Sequence, residues 1–117
     1  MIDMSVPFYR VIMMCKDVSG AIERPLPKGF RFVMCRPCYE DALAWAELEV
    51  SVGELKTMDD AMLVFSKDFG AYPEEISKRM LFVENEEGRK VGTATSWYGI
   101  LNGIRLPRFH FVSIHPD

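Results

Sequence analysis

A chain of 117 residues, with 49% apolar and 26% charged side chains, has the composition of a single folded domain rather than of a disordered chain. Its net charge of -3 and its singly scattered Lys and Arg residues argue against a nucleic-acid partner, because phosphate binding needs clustered positive charge. The apolar run at residues 11–15 is too short to span a bilayer or to form a signal-peptide core, so we expect no membrane contact.

The first third of the chain predicts two strands separated by a loop. Residues 9–16 (YRVIMMCK) predict the first strand, and residues 30–36 (FRFVMCR) predict the second because aromatic and β-branched side chains predominate. Residues 17–29 contain two Pro and two Gly, which is typical of a loop. Pro37 follows the second strand, and its fixed φ and missing N–H suit the first turn of a helix.

The middle of the chain changes to helical spacing. We predict a helix over residues 37–52 that ends near Gly53, because residues three or four positions apart share a helical face, as Leu48, Val52 and Leu55 do. One face of this helix carries Ala42, Trp45, Ala46 and Glu49.

A second helix is predicted to begin after Thr57, whose hydroxyl can cap it, and to stop near Gly70. Its apolar stripe consists of Ala61, Val64, Phe65 and Phe69. We expect Trp45, Phe65 and Phe69 to pack against the sheet. A short further helix is predicted over residues 73–78.

The last third predicts strands. Residues 79–84 and 90–98 form a predicted hairpin around the polar turn at residues 85–89. Residues 99–107 are a predicted loop, and residues 108–114 are the predicted final strand. One face of the strand at residues 90–98 carries Val91, Thr93, Thr95 and Trp97. The resulting order, β-β-α-α-β-β-β, predicts one α+β domain with a mixed, mostly antiparallel sheet and helices packed on it.

The three cysteines are an odd number in a chain without an export signal, so we expect reduced thiols and a cytoplasmic location. Cys35 and Cys38 have the spacing of zinc and redox sites. A structural zinc needs four ligands, and Cys15, His110 and His115 could complete it only at spacings that match no motif. A thioredoxin-like pair would also lie between a strand and a helix, but the order of elements differs. We therefore predict two unrelated thiols and no metal site.

Three segments resemble the front part of a GNAT-superfamily N-acetyltransferase domain. They are residues 29–55, similar to the family's first strand and helix, residues 82–99, with the hairpin sequence VGTAT, and residues 108–117 (RFHFVSIHPD), similar to its fourth strand. The resemblance implies a GNAT-like α+β fold over residues 1–117 and transfer of an acetyl group from acetyl-CoA to an amine. It also implies a domain cut off before the Gly-rich segment that would hold the coenzyme A pyrophosphate, so we expect weak or no acetyl-CoA binding.

The resemblance implies two sets of site residues. Backbone groups of the fourth strand would pair with the pantetheine arm of acetyl-CoA, and by position these belong to Val112, Ser113 and Ile114. The acceptor would be a small-molecule or peptide amine, and amino acids, polyamines, antibiotics and proteins all remain open. Weaker candidates for the acceptor site are Glu47, Glu49, Trp97, Tyr98 and His110.

Ordinary structural roles compete with these assignments. A solvated helix face is the preferred interpretation of both glutamates, Trp97 is expected in the core or in a groove wall, and a packed or surface position is preferred for His110. The alternative function is a non-catalytic half-domain that acts as an interaction or self-association module. Its basis is the final strand, where we expect Phe109, Phe111, Val112 and Ile114 to be exposed, favouring a homodimer.

Overall fold

A computed structural model describes residues 5–7, 14 and 17–117 of the chain. Apart from Met14, the strand predicted at residues 9–16 lies outside the described residues. The described elements, in chain order, are β1 (Arg31–Met34), α1 (Tyr39–Ser51), α2 (Met58–Asp68), α3 (Pro73–Arg79), β2 (Met80–Glu84), β3 (Lys90–Leu101) and β4 (Ile104–Ile114).

The strands form one four-stranded sheet in the order β1-β2-β3-β4, and every pair of neighbours is antiparallel. Over the described residues the element order is therefore β-α-α-α-β-β-β. This confirms an α+β fold, although the structure has three helices where the predicted order counted two, and every pairing in the described sheet is antiparallel rather than mixed.

The helix boundaries follow from local capping. Thr57 caps α2 as predicted, because its hydroxyl accepts a hydrogen bond of 3.1 Å from the backbone N–H of Asp60. The predicted start of α1 at Pro37 is wrong by two residues, since the helix begins at Tyr39 and the extended Cys38 occupies the N-cap. The short helix at Pro73 is confirmed and extends to Arg79.

The predicted loop at residues 99–107 is wrong, because β3 and β4 continue through it and meet at a two-residue turn. Asn102 and Gly103 form this turn with φ angles of 51° and 78°. Asn-Gly tolerates positive φ at both positions, and such turns match the twist of a β-hairpin. The final strand consequently begins at Ile104 rather than at Arg108.

The core lies between the helices and one face of the sheet, which we call the inner face. Trp45 of α1 is fully buried and contacts Phe111 of β4 with ring centroids 5.0 Å apart. Phe69, just after α2, is also fully buried and contacts Trp97 of β3 at 5.0 Å. Phe65 packs on Trp45 at 5.3 Å. The predicted burial of Trp45, Phe65 and Phe69 is confirmed.

The alternation of side chains assigns each strand residue to one face of the sheet. Thr93, Thr95 and Trp97 are buried on the inner face, as predicted for this stripe of β3. Phe82 of β2 pairs with Thr93, and Thr93 pairs with Ser113 of β4, so these residues form one inner row. Among the residues that the structure describes, no helix is long and apolar enough to cross a membrane.

Candidate functional site

A β-bulge interrupts the pairing of β3 with β4. Thr93 pairs with Ser113 and Thr95 pairs with His110, so the single residue between them on β3 opposes two residues on β4, Phe111 and Val112. Phe111 has a φ of 53°, which is rare for a residue with a large side chain. A bulge leaves backbone groups out of the ladder and bends the strand.

The bulge lies on an edge strand, since β4 is the last strand of the described sheet. An edge strand presents a row of backbone N–H and C=O groups that a further extended segment can bind. The predicted cofactor-binding residues, Val112, Ser113 and Ile114, therefore lie at the bulge and directly after it.

The side chains of these three residues point in different directions. Val112 and Ile114 are 63% and 75% exposed, whereas the Ser113 side chain points into the core and is buried. The backbone of the three residues is thus continuous along one edge, although only Ser113 contacts the interior.

Ser113 binds a buried carboxyl group on α1. Its hydroxyl donates a hydrogen bond of 2.9 Å to Oε2 of Glu49, which has no solvent exposure. Burial raises the pKa of Glu49 to about 7, and the hydrogen bond from Ser113 opposes this rise only in part. The prediction that Glu49 lies on a solvated helix face is therefore wrong. Its carboxyl group lies behind β4 and takes up a proton near neutral pH.

Three buried polar atoms of the described core have no hydrogen-bond partner: Nε1 of Trp45, Oε1 of Glu49 and Oγ1 of Thr95. Trp45 and Glu49 lie one turn apart on the buried face of α1, and Thr95 pairs with His110 across the bulge. Thr95 and the Trp45 nitrogen are absent from the sequence-based site. The spacing of four between Trp45 and Glu49 was the available signal, because it placed a carboxyl group on an otherwise apolar helix face.

The remaining acceptor candidates lie apart from one another. Glu47 is exposed and lines a depression of about 290 Å³ between α1 and the β2–β3 turn, together with Arg89 and His115. Trp97 is buried in the core, which confirms its structural interpretation. Tyr98 follows it on the opposite face of the sheet.

Tyr98 lies between two guanidinium groups. Those of Arg79 and Arg105 lie 4.3 and 3.9 Å from the centre of its ring, and its hydroxyl is 3.4 Å from Oε2 of Glu75. A cationic amine at this ring would meet two positive charges. Tyr98 is therefore a poor part of an amine site.

His110 is half-buried beside the bulge. Its Nε2 lies 3.5 Å from a carboxylate oxygen of Asp68, and its ring packs on Phe111 at 4.2 Å. Burial lowers the pKa of His110, and the interaction with Asp68 only partly opposes this. The imidazole is therefore mainly neutral at pH 7 and can accept a proton.

The two described cysteines have different surroundings. Cys35 is fully buried at the end of β1, and burial raises the pKa of its thiol to about 12. Cys38 is half-buried at the N-cap of α1. Both are unpaired, and over residues 17–117 no cluster of three potential metal ligands occurs.

Comparison with known proteins finds no protein-family model that matches the chain and no curated protein with significant sequence similarity. Function is therefore inferred from the geometry of the chain itself. The residues brought together by the fold are Glu49, Thr95, His110 and Ser113 around the bulge, whereas Glu47 and Tyr98 lie elsewhere.

Proposed function

We propose that the chain is part of a GNAT-type N-acetyltransferase, which transfers the acetyl group of acetyl-CoA to an amine. The observation that carries this proposal is the bulge at Phe111 and Val112 on the edge strand β4. It supports the role that the resemblance implies for Val112, Ser113 and Ile114. The α+β order of elements is compatible with a GNAT-like domain.

The pantetheine arm suits an edge strand. It is extended and carries two amide groups, so it can pair with backbone N–H and C=O groups as an added strand does. At the bulge the ladder is broken, and an unpaired backbone N–H there could donate to the thioester oxygen. Because that oxygen gains negative charge when an amine attacks, such a donor would stabilise the transition state.

The proposed transfer needs no redox partner. The amine nitrogen attacks the thioester carbonyl carbon and a C–N bond forms. The C–S bond then breaks, the amine loses a proton and the leaving thiolate gains one. The neutral imidazole of His110, next to the bulge and 3.5 Å from a carboxylate oxygen of Asp68, is our candidate for the base that takes up the amine proton.

A cytoplasmic location is part of the proposal, because the proposed reaction uses acetyl-CoA from the cytoplasm. Unpaired thiols such as Cys35 and Cys38 are typical of reducing compartments.

The test uses S-acetyl-pantetheine, which carries the thioester and the amide arm but no diphosphate. We expect this compound to shift the backbone amide resonances of residues 110–114 in two-dimensional NMR spectra, and to leave those of residues 104–106 of the same strand unchanged. The matched control is pantetheine, the free thiol without the acetyl group, which should shift the amide resonances of the bulge residues less.

Two results would contradict the proposal. One is the absence of any shift at millimolar ligand in a folded sample. The other is a set of shifts confined to residues far from the bulge, such as those around Glu47. Such shifts would mean that the ligand binds elsewhere.

A further inference from the structure

The side of the sheet that faces away from α1 and α2, which we call the outer face, carries five large exposed apolar side chains on β1 and on the second half of β4, in addition to Ile100 near the end of β3. Phe32 and Met34 lie on β1, and Phe109, Val112 and Ile114 lie on β4, with exposed fractions between 42% and 78%. Single exposed apolar residues are common, but a group of five on one face marks an interaction surface.

The register of the sheet joins Phe32, Met34 and Ile114 into one surface, and Phe109 lies outside these rows, opposite Ser96. Phe32 pairs with Val83, Val83 with Gly92, and Gly92 with Ile114, so one apolar row crosses all four strands. Met34, Leu81 and Ala94 form the next row. Neither row contains a charged residue.

The size of the outer face fits a dimer of modest affinity. Taking roughly 150–200 Å² for each large side chain, the exposed fractions give about 500–600 Å² of apolar surface. Two copies that bury all of this surface against each other would bury at most about 1,200 Å², the lower limit of specific interfaces. A two-fold arrangement needs only one self-complementary patch, which this face provides.

The surface does not have the chemistry of a membrane-binding face. Peripheral membrane binding combines an apolar face with many Lys and Arg residues, because the lipid surface is negatively charged. The chain has a net charge of -3, and the two guanidinium groups beside Tyr98, those of Arg79 and Arg105, lie outside the two apolar rows. Natural sheets also use charged side chains to prevent exposed strands from associating with other chains. The two apolar rows contain no charged residue.

We propose that the outer face is a homodimer interface, in which the sheets of two copies of this chain pack face to face about a two-fold axis. The Phe109 ring, the most exposed of the five side chains, is the expected anchor. The interface uses the side chains of Val112 and Ile114, whereas the proposed acetyl transfer uses their backbone groups, so the two proposals are tested separately.

The test is sedimentation velocity of the purified chain between 1 and about 200 μM, the range that matches an interface of this size. We expect a reversible monomer–dimer equilibrium within this range. Phe109→Lys should weaken dimerisation at least tenfold. The matched control is Leu63→Lys, which places the same charge at a comparably exposed apolar position on α2.

A second variant, Phe32→Lys, distinguishes face packing from pairing of the β4 edges. Phe32 lies on the same outer face but on β1, the edge strand opposite to β4. Face packing therefore requires that this variant also weakens the dimer. A dimer that loses affinity with Phe109→Lys but not with Phe32→Lys would overturn the proposal in favour of edge pairing. A monomer at 200 μM would overturn it outright, as would a monomer that binds anionic phospholipid vesicles. Circular dichroism confirms that each variant is folded.

Discussion

The hydroxyl of Ser113 donates a hydrogen bond of 2.9 Å to the buried carboxyl group of Glu49, and this contact joins the end of β4 to the last turn of α1. One carboxyl oxygen is thereby satisfied, while Oε1 has no partner within the described part of the protein. Burial of a carboxylate with one donor favours the neutral acid, in agreement with a pKa of about 7.

The first prediction concerns the pH dependence of stability. Folded Glu49 keeps a proton that the unfolded chain, with its ordinary pKa of 4.5, releases. The free energy of unfolding should therefore be highest on this account below pH 4.5 and should fall as the pH rises towards 7, by roughly 3 kcal/mol. Glu49→Gln, which keeps an oxygen acceptor for Ser113, should remove this fall and stabilise the protein at pH 8.

Urea unfolding at pH 5 and pH 8 measures the effect. Glu47→Gln on the exposed face of α1 is the matched control and should leave both values unchanged. His110, whose lowered pKa acts in the opposite direction, is common to all three proteins, so the difference between them isolates Glu49. Equal pH dependence in wild type and Glu49→Gln would show that the carboxyl group is ionised in the fold.

The second prediction concerns the aromatic core. Phe69→Ala should lower the free energy of unfolding by about 3–5 kcal/mol, because the ring is fully buried and contacts Trp45 and Trp97. Leu63→Ala, at an exposed position of α2, should cost less than about 0.5 kcal/mol. Denaturant unfolding compares the two, and a loss below about 1 kcal/mol for Phe69→Ala would contradict the packing described above.

The third prediction concerns the Asn102–Gly103 turn. Gly103→Ala should destabilise the protein by about 1–2 kcal/mol although the added methyl group meets open space, because φ is 78° and side chains disfavour that region. Gly20→Ala has equally open space without a positive φ and serves as the control. Equal thermal stability of the two variants would exclude backbone strain as the cause.

The fourth prediction concerns the thiols. Iodoacetamide at pH 8 should modify Cys38 in the folded protein much faster than Cys35, because Cys35 is fully buried and its pKa is raised to about 12. Peptide mass spectrometry distinguishes the two sites. Comparable rates before unfolding would mean that the end of β1 opens readily, and one zinc per chain by elemental analysis would contradict the expectation of two unrelated thiols.

The fifth prediction concerns the diphosphate of acetyl-CoA. The chain should bind acetyl-CoA weakly, and no more than a few-fold more tightly than S-acetyl-pantetheine, because the described residues supply no Gly-rich loop for phosphate. Isothermal titration compares the two ligands. Micromolar binding of acetyl-CoA alone would require a phosphate site among the described residues or the residues before them.

Local sequence patterns predicted most of the helices and strands. The stripe of α2 and its Thr57 cap were predictable because capping and helical periodicity act over a few residues. The hairpin turn was missed because Gly and Pro in residues 99–107 suggested a loop, although Asn102-Gly103 is the strongest short hairpin signal. Pro107 is compatible with β4 because an edge strand can lack a ladder hydrogen bond.

The site was less predictable because it depends on register. Whether Glu49 is solvated or buried depends on how far α1 is covered by β4, and the sequence of α1 alone does not specify that. The bulge moves Phe111 to the inner face, where it packs on Trp45, so the expectation that Phe111 is exposed is wrong. No local pattern predicted that shift, because a bulge is a property of two paired strands.

The order of strands in the sheet has a consequence for folding kinetics. The strands β2, β3 and β4 follow one another in sequence, so their pairings close only short loops, whereas β1 reaches β2 across all three helices. Closing the longer loop costs more chain entropy before any contact compensates it. We expect the amides of β3 and β4 to gain protection early in refolding and those of β1 to gain it last, in pulse-labelled hydrogen exchange. Simultaneous protection of all four strands would show instead that the helices and the sheet form in one step.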